Sequence, residues 1–247
     1  MSDVPHIDEL LKEWPYEADS LNVRMAKGAD GREIIQMRID MGLLQLEITG
    51  RPDGTQPHGT ETYQDHLLEE SLQNHADWIL SESQCGEVDR EFVQYYHRRM
   101  CWLKLRQYHN AVRDADHTLG LMDFCGRYSP DERWTQSHEQ YRPFVMFHRV
   151  HATALAALED DGAEVAVQEI NTGLRQLKQE IFDEVDQEEF EEDELIQRLI
   201  ELRETLRQQY EVGRTLEERL DDAIASEQYE LAAELRDALA QREANVL

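Results

Sequence analysis

Histidine and cysteine side chains are the residues of this chain best suited to holding a metal or moving a proton. His97 and Cys101 are four residues apart, and His148 and His151 are three apart, so each pair would share one helix face. A zinc site needs three or four ligands, and no further ligand lies at a spacing that the sequence makes readable. We therefore expect packing or surface roles for these side chains, with no bound metal and no cofactor.

Motifs for catalysis are also missing from the sequence. There is no G-x-S-x-G nucleophile turn, no H-E-x-x-H pair and no dinucleotide fingerprint. The glycine-rich residues 27–31 lack the G-K-[ST] ending of a phosphate loop, and they fit a turn that leads into a strand. The sequence predicts a protein that is not an enzyme, although a helical active site without a known motif stays open as an alternative.

Composition limits the classes of partner. The chain has 247 residues, of which 53 are acidic and 25 basic, and its net charge is −28. Such a charge repels phosphate backbones, so we expect no strong direct binding to nucleic acid. The three cysteines form no C-x-x-C pair, and no apolar run approaches the length of a membrane span. We expect free thiols, no membrane contact and a cytoplasmic location.

The elements that would position functional side chains begin with a β-hairpin at about 33–50, within an N-terminal segment 1–59. Two runs of alternating apolar residues are separated by residues 40–42, the pattern of two antiparallel strands. An isolated hairpin is marginal in water, so this one must pack on helices or on a partner. The alternating residues are Ile35, Met37, Ile39, Leu44, Leu46 and Ile48.

Residues 60–178 show helical periodicity, and part of this region resembles the tetratricopeptide (TPR) family of helical repeats at about 91–178. A small Ala111 would lie where two helices cross, and Trp102 and Tyr108 would fill the space around the turn. Arg99 departs from the family pattern, which has a small residue there. The first repeat is matched at Trp102, Leu105, Tyr108, Ala111, Val112, Asp114 and Leu119. A second copy would follow a linker at about 120–143, with Val150, Ala154, Ala157, Ala166, Ile170 and Gly173 at equivalent positions.

A local excess of positive charge accompanies the first repeat. Glu91 is the only acid between residues 90 and 113, and the resemblance implies that the first helix lines a concave, peptide-binding side. The hypothesis is that this side holds an acidic segment, either a partner's or residues 183–194 of this chain. Charge balance against neighbouring helices is the alternative. The predicted groove residues are Tyr96, His97, Met100 and Lys104, and the basic residues are Arg90, Arg98, Arg99, Lys104, Arg106 and Arg113.

An acidic linker is predicted at 179–194, because nine of the twelve residues from 183 to 194 are acidic. A coiled-coil-like helix is predicted at 195–213, where four leucines recur in steps of four and three. Gly213 is predicted to break the helix before the C-terminal segment 214–247. The four leucines are Leu195, Leu199, Leu202 and Leu206.

Residues 216–239 predict two short amphipathic helices that can bury their apolar stripes only against each other. Ser226, Glu227 and Gln228 interrupt the two stripes, and three alanines would let the backbones approach closely. The first stripe is Leu216, Leu220, Ala223 and Ile224, and the second is Tyr229, Ala232, Ala233, Leu235, the Arg236 stem and Leu239. The pattern L-x-x-x-L-x-x-A-I-x-x-E-x-Y-E-x-A-A-x-L-R-D-x-L resembles the UVR motif, a helical hairpin of the excinuclease B and C proteins.

The predicted fold class is mainly α, with TPR-like hairpins, a small N-terminal β-hairpin, and a C-terminal helix followed by a UVR antiparallel hairpin. The UVR resemblance implies docking to a UVR-containing protein or a chaperone-protease regulator, or self-association. We therefore expect a non-catalytic bacterial-type adaptor, and the alternative is an accessory factor in nucleotide excision repair recruited by excinuclease subunits. The predicted interaction residues are Leu216, Leu220, Ile224, Tyr229, Ala232, Leu235 and Leu239.

Overall fold

The computed structural model describes residues 7–74, 77–183 and 185–246, without the side chains of 221 and 241–246. The predicted segments 1–59, 60–178, 179–194 and 214–247 each contain residues outside this description. The chain divides into two compact units, residues 1–152 and 153–247, and the boundary falls inside one helix. As predicted, the fold class is mainly α with a small antiparallel sheet near the N-terminus.

Eleven α-helices, three strands and one 3₁₀ turn make up the described residues. The elements are α1 Asp8–Glu13, β1 Asn22–Lys27, β2 Glu33–Ile39, β3 Gly42–Glu47, the 3₁₀ turn Pro57–Gly59, α2 Tyr63–Gln73, α3 Glu82–Lys104, α4 Tyr108–Tyr128, α5 Glu132–Glu139, α6 Arg142–Asp160, α7 Ala163–Glu180, α8 Gln187–Glu192, α9 Glu194–Tyr210, α10 Leu216–Ala225 and α11 Tyr229–Val246.

The sheet has three strands in the order β1-β2-β3, so the predicted hairpin gains an additional strand. Strand β1 pairs antiparallel with β2, with Val23 opposite Met37, and residues 28–31 form the turn between them. Ile35 of β2 lies opposite Leu46 of β3, and both are buried against α3 and α4. The sheet thus packs on helices, where Trp102, Cys101 and Ala111 complete one core cluster.

Helices α3 and α4 form the centre of the first unit. Capping boxes begin α2 at Thr62 and α3 at Ser81, where each cap side chain accepts from the backbone of the third helical residue. A second core cluster joins α2, α3 and α4 through apolar side chains. Its buried members are Tyr63, Leu67, Leu80, Cys85, Val88, Leu121, Phe124 and Cys125.

The linker predicted at 120–143 is largely wrong. Helix α4 continues to Tyr128, because Phe124 and Cys125 are buried in that second cluster and stabilise the additional turns. Asp131 then caps α5 by accepting from the Arg133 amide at 3.3 Å. Only residues 129–131 and 140–141 stay outside helices in this stretch.

In the second unit, α9 packs against α7. The predicted leucine seam is covered within this unit, since Leu199 and Leu206 are buried in the same helix as the fully buried Ile196. Helix α9 ends at Tyr210, where Glu211 takes a left-handed conformation with a φ of 55°. The helix break predicted at Gly213 is therefore made two residues earlier, by a non-glycine residue.

The acidic segment contains an apolar anchor. Asp186 caps the short helix α8, and Phe190 in that helix is buried. The Phe190 ring lies 5.3 Å from that of Phe182 in a T-shaped arrangement, and the Lys178 ammonium lies 5.2 Å from the Phe190 ring. The described part of this segment is thus held against the second unit by an aromatic side chain among its many carboxylates.

Candidate protein-interaction site

The C-terminal hairpin begins at a reciprocal cap. The Thr215 hydroxyl accepts from the Glu218 amide at 3.3 Å, and the Glu218 carboxylate accepts from the Thr215 amide at 2.9 Å. This capping box satisfies two backbone donors that a helix start leaves without partners. It therefore sets the position at which α10 begins.

The turn between α10 and α11 lies at the three residues that interrupt the apolar stripes. The Ser226 amide donates to the Asp222 carbonyl at 2.9 Å, and the Gln228 amide donates to the Ala223 carbonyl at 2.8 Å. Glu227 takes a left-handed conformation with a φ of 57°, which reverses the chain within these three residues. The two helices consequently pack side by side as an antiparallel pair.

The interior of the hairpin contains fewer residues than the sequence predicts. Ala223, Ala232 and Leu235 are buried, and Leu216 and Leu220 pack partly buried against them. Leu239 is half-buried further along α11. These side chains hold the hairpin together.

Three predicted members of the second stripe lie on the surface, namely Tyr229, Ala233 and Arg236, and Ile224 of the first stripe is exposed as well. Ala233 is exposed, and Arg236 is 74% exposed, within reach of Asp237 at 3.8 Å. Residues 232 and 235 are three apart and face α10, whereas 233 is rotated by about 100° around the helix. The predicted burial of Ala233, the Arg236 stem, Ile224 and Tyr229 between the two helices is therefore wrong.

Apolar side chains remain exposed around the turn. Ile224 near the end of α10 is 53% exposed, and Tyr229 at the start of α11 is 69% exposed. Leu231 is also exposed, and the sequence pattern does not reveal it because it lies off the stripe that forms the interior. We call Ile224, Tyr229 and Leu231 the hairpin tip. They are available to a partner, because the hairpin interior does not need them.

Hydrogen bonds and ion pairs of Glu217 and Glu218 connect the first turn of α10 to α7 and α9 of the same unit. The Glu217 carboxylate lies 2.7 Å from Arg175 of α7. Glu218 accepts from Asn171 of α7 at 3.0 Å and from Arg207 of α9. The base of the hairpin is thus packed within the second unit, and the turn lies at the opposite end of the hairpin.

Glu218 is strongly favoured as a carboxylate. Burial opposes its ionisation, but hydrogen bonds from Arg207 and from the Thr215 amide outweigh that effect and lower the pKa of Glu218 to about 2. The same contacts raise the pKa of Arg207 above its usual value, chiefly through the hydrogen bond to Glu218. The charge pair therefore stays ionised across the neutral range.

The predicted groove residues occupy one side of α3. Tyr96 and Lys104 are exposed, while His97 and Met100 are half-buried. Burial lowers the pKa of His97, and its Nδ1 atom is enclosed without a hydrogen-bond partner. This side of α3 therefore presents a neutral imidazole together with an exposed tyrosine and an exposed ammonium group.

The predicted positive face is wrong at its two central arginines. Arg98 is 1% exposed and pairs with Asp114, and Arg99 is 2% exposed and donates to Thr118 at 2.9 Å. The sequence count of charges could not reveal this, because Asp114 lies just beyond the stretch that lacks acids. Arg98 is thus used inside the fold, where an acidic peptide has no access to it.

The histidine and cysteine pairs lie in packed surroundings. Cys101 is fully buried, and its thiol has a pKa raised by burial to about 12. The ring of His148 lies 4.1 Å from that of Phe144, and His151 stacks at 5.9 Å on Phe147. No group of three or more histidine, cysteine or acidic residues suited to a metal ion occurs in the part of the chain that the structure describes.

Residues 212–242 match the family model of the UvrB/uvrC motif, named UVR. The match covers α10, the turn and most of α11, so the predicted UVR resemblance is confirmed. The TPR resemblance is not supported by a family match and stays a prediction. Neither the curated proteins nor the solved structures contain a match to this chain.

None of the helices described has both the length and the apolar character that crossing a bilayer requires.

Proposed function

We propose that this chain is a non-catalytic protein-interaction adaptor that docks through the tip of its UVR hairpin. The observation that carries the proposal is that some apolar residues of the hairpin are buried between its helices while others are exposed. Ala223, Ala232 and Leu235 form its interior, whereas Ile224 and Tyr229 remain exposed at the turn. Exposed aromatic and branched side chains on a rigid support are the usual anchors of protein interfaces.

The proposed partner is a second UVR hairpin or a related helical surface. Two copies of one hairpin can associate symmetrically, because a two-fold axis places the same residues on both sides of the contact. Self-association and binding to a UVR-containing protein or a chaperone-protease regulator therefore use the same tip. The net charge of −28 supports a protein partner over nucleic acid. The proposal also includes a cytoplasmic location in a bacterium and a TPR-like role for the helices of 91–178.

Light scattering of the intact chain tests the tip directly. We expect the double variant Ile224→Ser, Tyr229→Ser to lower the number of chains per particle if the tip mediates self-association. Leu72→Ser is the matched control, because Leu72 is 87% exposed on α2, outside the hairpin. Equal particle mass for all three proteins excludes self-association through the tip.

Capture from a bacterial lysate with the intact chain as bait tests the heterologous form. We expect the bait to retain UVR-containing proteins or Clp-type chaperone components, and the tip variant to lose them. Retention of the same proteins by the tip variant, together with an unchanged particle mass, contradicts the proposal. The Leu72→Ser bait should retain the same proteins as the native chain, because it removes an exposed apolar side chain outside the hairpin.

The second candidate is an accessory factor in nucleotide excision repair. It is favoured by the matched family, whose description names UvrB and uvrC. In this role the chain is recruited by an excinuclease protein through the hairpin and has no strong affinity of its own for DNA. A purified excinuclease protein carrying the UVR motif that binds the native chain and not the tip variant supports this role. Recovery of Clp-type components alone contradicts it.

A further inference from the structure

A cavity of about 710 Å³ lies in the first unit, between one face of α3 and residues of α4, α5 and α6. The α3 residues on this face are spaced as a helical stripe, which places them side by side along the wall. The volume falls within the range of about 300–1,000 Å³ typical of small-molecule sites. The twelve lining residues are Asp89, Phe92, Val93, Tyr96, Arg99, Thr118, Met122, Ser137, His138, Tyr141, Phe144 and Val145.

Most of the wall is apolar. Phe92 and Val93 come from α3, Met122 from α4, and Phe144 and Val145 from α6. A cavity with such a wall favours an apolar body, because apolar surface removed from water contributes about 25 cal/mol per Å². The polar groups of the lining must then determine which end of a ligand points inward.

Arg99 is the most buried charged residue of the lining. It is 2% exposed, and it donates to Thr118 Oγ1 at 2.9 Å and to His148 Nδ1 at 3.4 Å. Neither acceptor is a carboxylate, so neither supplies a formal negative charge. No carboxylate among the described residues hydrogen-bonds to Arg99, because the nearby Asp114 is engaged by Arg98 at 2.7 Å and 2.9 Å.

The electrostatic consequence is a guanidinium to which no carboxylate is hydrogen-bonded, because Asp114 is held by Arg98 and acts on Arg99 only through space. Burial lowers the pKa of Arg99 to about 10, so the group remains protonated at neutral pH. An enclosed charge that is not directly paired is costly, and a bound anion offsets that cost. Arginine is also the side chain best shaped to hold a carboxylate by two parallel hydrogen bonds.

A serine, a histidine and an aspartate also line this cavity, but their geometry does not form a nucleophile. His138 Nδ1 lies 3.0 Å from the Trp134 carbonyl, and Nε2 lies 2.9 Å from Asp89. The Ser137 hydroxyl donates to the Trp134 carbonyl at 2.6 Å, and its oxygen lies 3.5 Å from His138 Nδ1, so the serine proton is directed away from the imidazole. The Asp89 carboxylate also accepts from Trp134 Nε1 at 2.9 Å. Asp89 is therefore hydrogen-bonded to two residues of α5, Trp134 and His138, at one side of the cavity.

We propose that this cavity binds a small organic carboxylate, with its apolar body against Phe92, Met122 and Phe144 and its carboxylate paired with Arg99. The inference does not depend on the adaptor role, since the UVR hairpin lies in the other unit. The ligand class follows from two features together, namely the apolar wall and an enclosed guanidinium without an acidic partner.

Calorimetric titration of the intact chain with 1-naphthaleneacetate tests the proposal, with the neutral 1-naphthaleneacetamide as the matched probe. We expect the acid to bind at least about tenfold more tightly than the amide, because a charge-assisted hydrogen bond exceeds a neutral one by that much. Equal affinities, or no saturable binding of the acid, overturn the proposal.

Variants locate the site. Arg99→Met is expected to weaken the acid about tenfold or more and to leave the amide nearly unchanged. Arg90→Met is the matched control, because Arg90 lies on the same helix with its side chain 62% exposed, outside the lining. A loss with Arg90→Met as large as with Arg99→Met contradicts the assignment.

A second variant covers the case in which Arg99→Met does not fold. Val93→Trp leaves Arg99 untouched and adds bulk to the wall at a position that is 55% exposed, where a larger side chain is tolerated. We expect it to abolish binding of both probes while the circular dichroism spectrum stays native. Undiminished binding of the acid by a folded Val93→Trp protein places the probe elsewhere and overturns the proposal.

Discussion

Arg98 donates two nearly parallel hydrogen bonds to Asp114, from Nε at 2.7 Å and from Nη2 at 2.9 Å. Both side chains are buried, and the pair joins α3 to α4 across the centre of the first unit. The remaining terminal nitrogen, Nη1, donates to the carbonyls of Glu47 at 3.1 Å and Gly50 at 2.8 Å. One guanidinium therefore fastens two helices to the end of strand β3.

Breaking this buried pair should be costly. Asp114→Asn leaves Arg98 enclosed without its counter-charge, and we expect a loss of about 3–5 kcal/mol in the free energy of unfolding. Urea denaturation followed by circular dichroism measures the loss. Asp116→Asn is the control, because Asp116 pairs with Arg149 at the surface, and such pairs contribute about 1 kcal/mol or less. Equal losses for the two variants contradict the structural role of the buried pair.

The base of the hairpin should respond to acid through Glu218. The pKa of Glu218 in the folded chain is lowered from 4.5 to about 2, so the fold favours the ionised form. That stabilisation is present above about pH 4.5 and is lost as the pH falls toward 2. Glu218→Gln keeps the capping box but removes the charge, so native and variant chains should differ at pH 6 and become more alike as the pH falls from 4.5 toward 2.

We expect the difference at pH 6 to be about 1 kcal/mol, since the Glu218 side chain is one-quarter exposed and solvent screens the pair. Chemical denaturation at pH 6 and pH 3 measures it. Glu234→Gln, at an exposed position of α11, should change the free energy of unfolding at neither pH. A Glu218→Gln difference that grows on acidification is incompatible with the lowered pKa.

The interior of the hairpin should depend on Leu235 more than on the tip. Leu235→Ala removes a side chain that is 4% exposed, and we expect a local loss of about 2–3 kcal/mol. Amide hydrogen exchange should then show reduced protection for 216–239 with little change in α3. Leu231→Ala, at a side chain that is 38% exposed, should leave protection nearly intact. Equal effects would mean that Leu231 belongs to the interior.

The three thiols should be slow to react in the folded chain. Cys85, Cys101 and Cys125 are free and buried, and burial raises the pKa of each thiol, which lowers the fraction of reactive thiolate. We expect Ellman's reagent at pH 8 to label all three in urea within minutes and none at that rate in native buffer. A thiol that reacts at the unfolded rate under native conditions would place it on the surface.

Predictions from the sequence succeed where contacts are local. The UVR resemblance at 216–239 is confirmed by the family match at 212–242, and the turn lies at Ser226, Glu227 and Gln228 as the interrupted stripes indicate. The mainly helical fold class is confirmed as well. In both cases residues three or four positions apart determine the outcome, because such residues share one face of a helix.

Predictions fail where distant elements decide burial. A basic cluster on α3 predicts a charged surface, yet Arg98 and Arg99 are interior because α4 brings Asp114 and Thr118 against them. The sequence pattern does not predict strand β1, because its short alternation becomes significant only when β2 lies beside it. The pattern also assigns Ala233 to the hairpin interior, because composition does not reveal the exact rotation of one helix against another.

The sequence by itself therefore determines a helical chain that ends in a UVR hairpin, since periodicity and caps act within a few residues. Tertiary structure alone decides that Ile224 and Tyr229 remain exposed while Leu235 is covered, and that Glu218 joins Arg207. The cavity beside Arg99 also exists only in the folded chain. The physical reason is that burial and ion pairing depend on which elements meet, whereas helix formation depends mainly on neighbours along the chain.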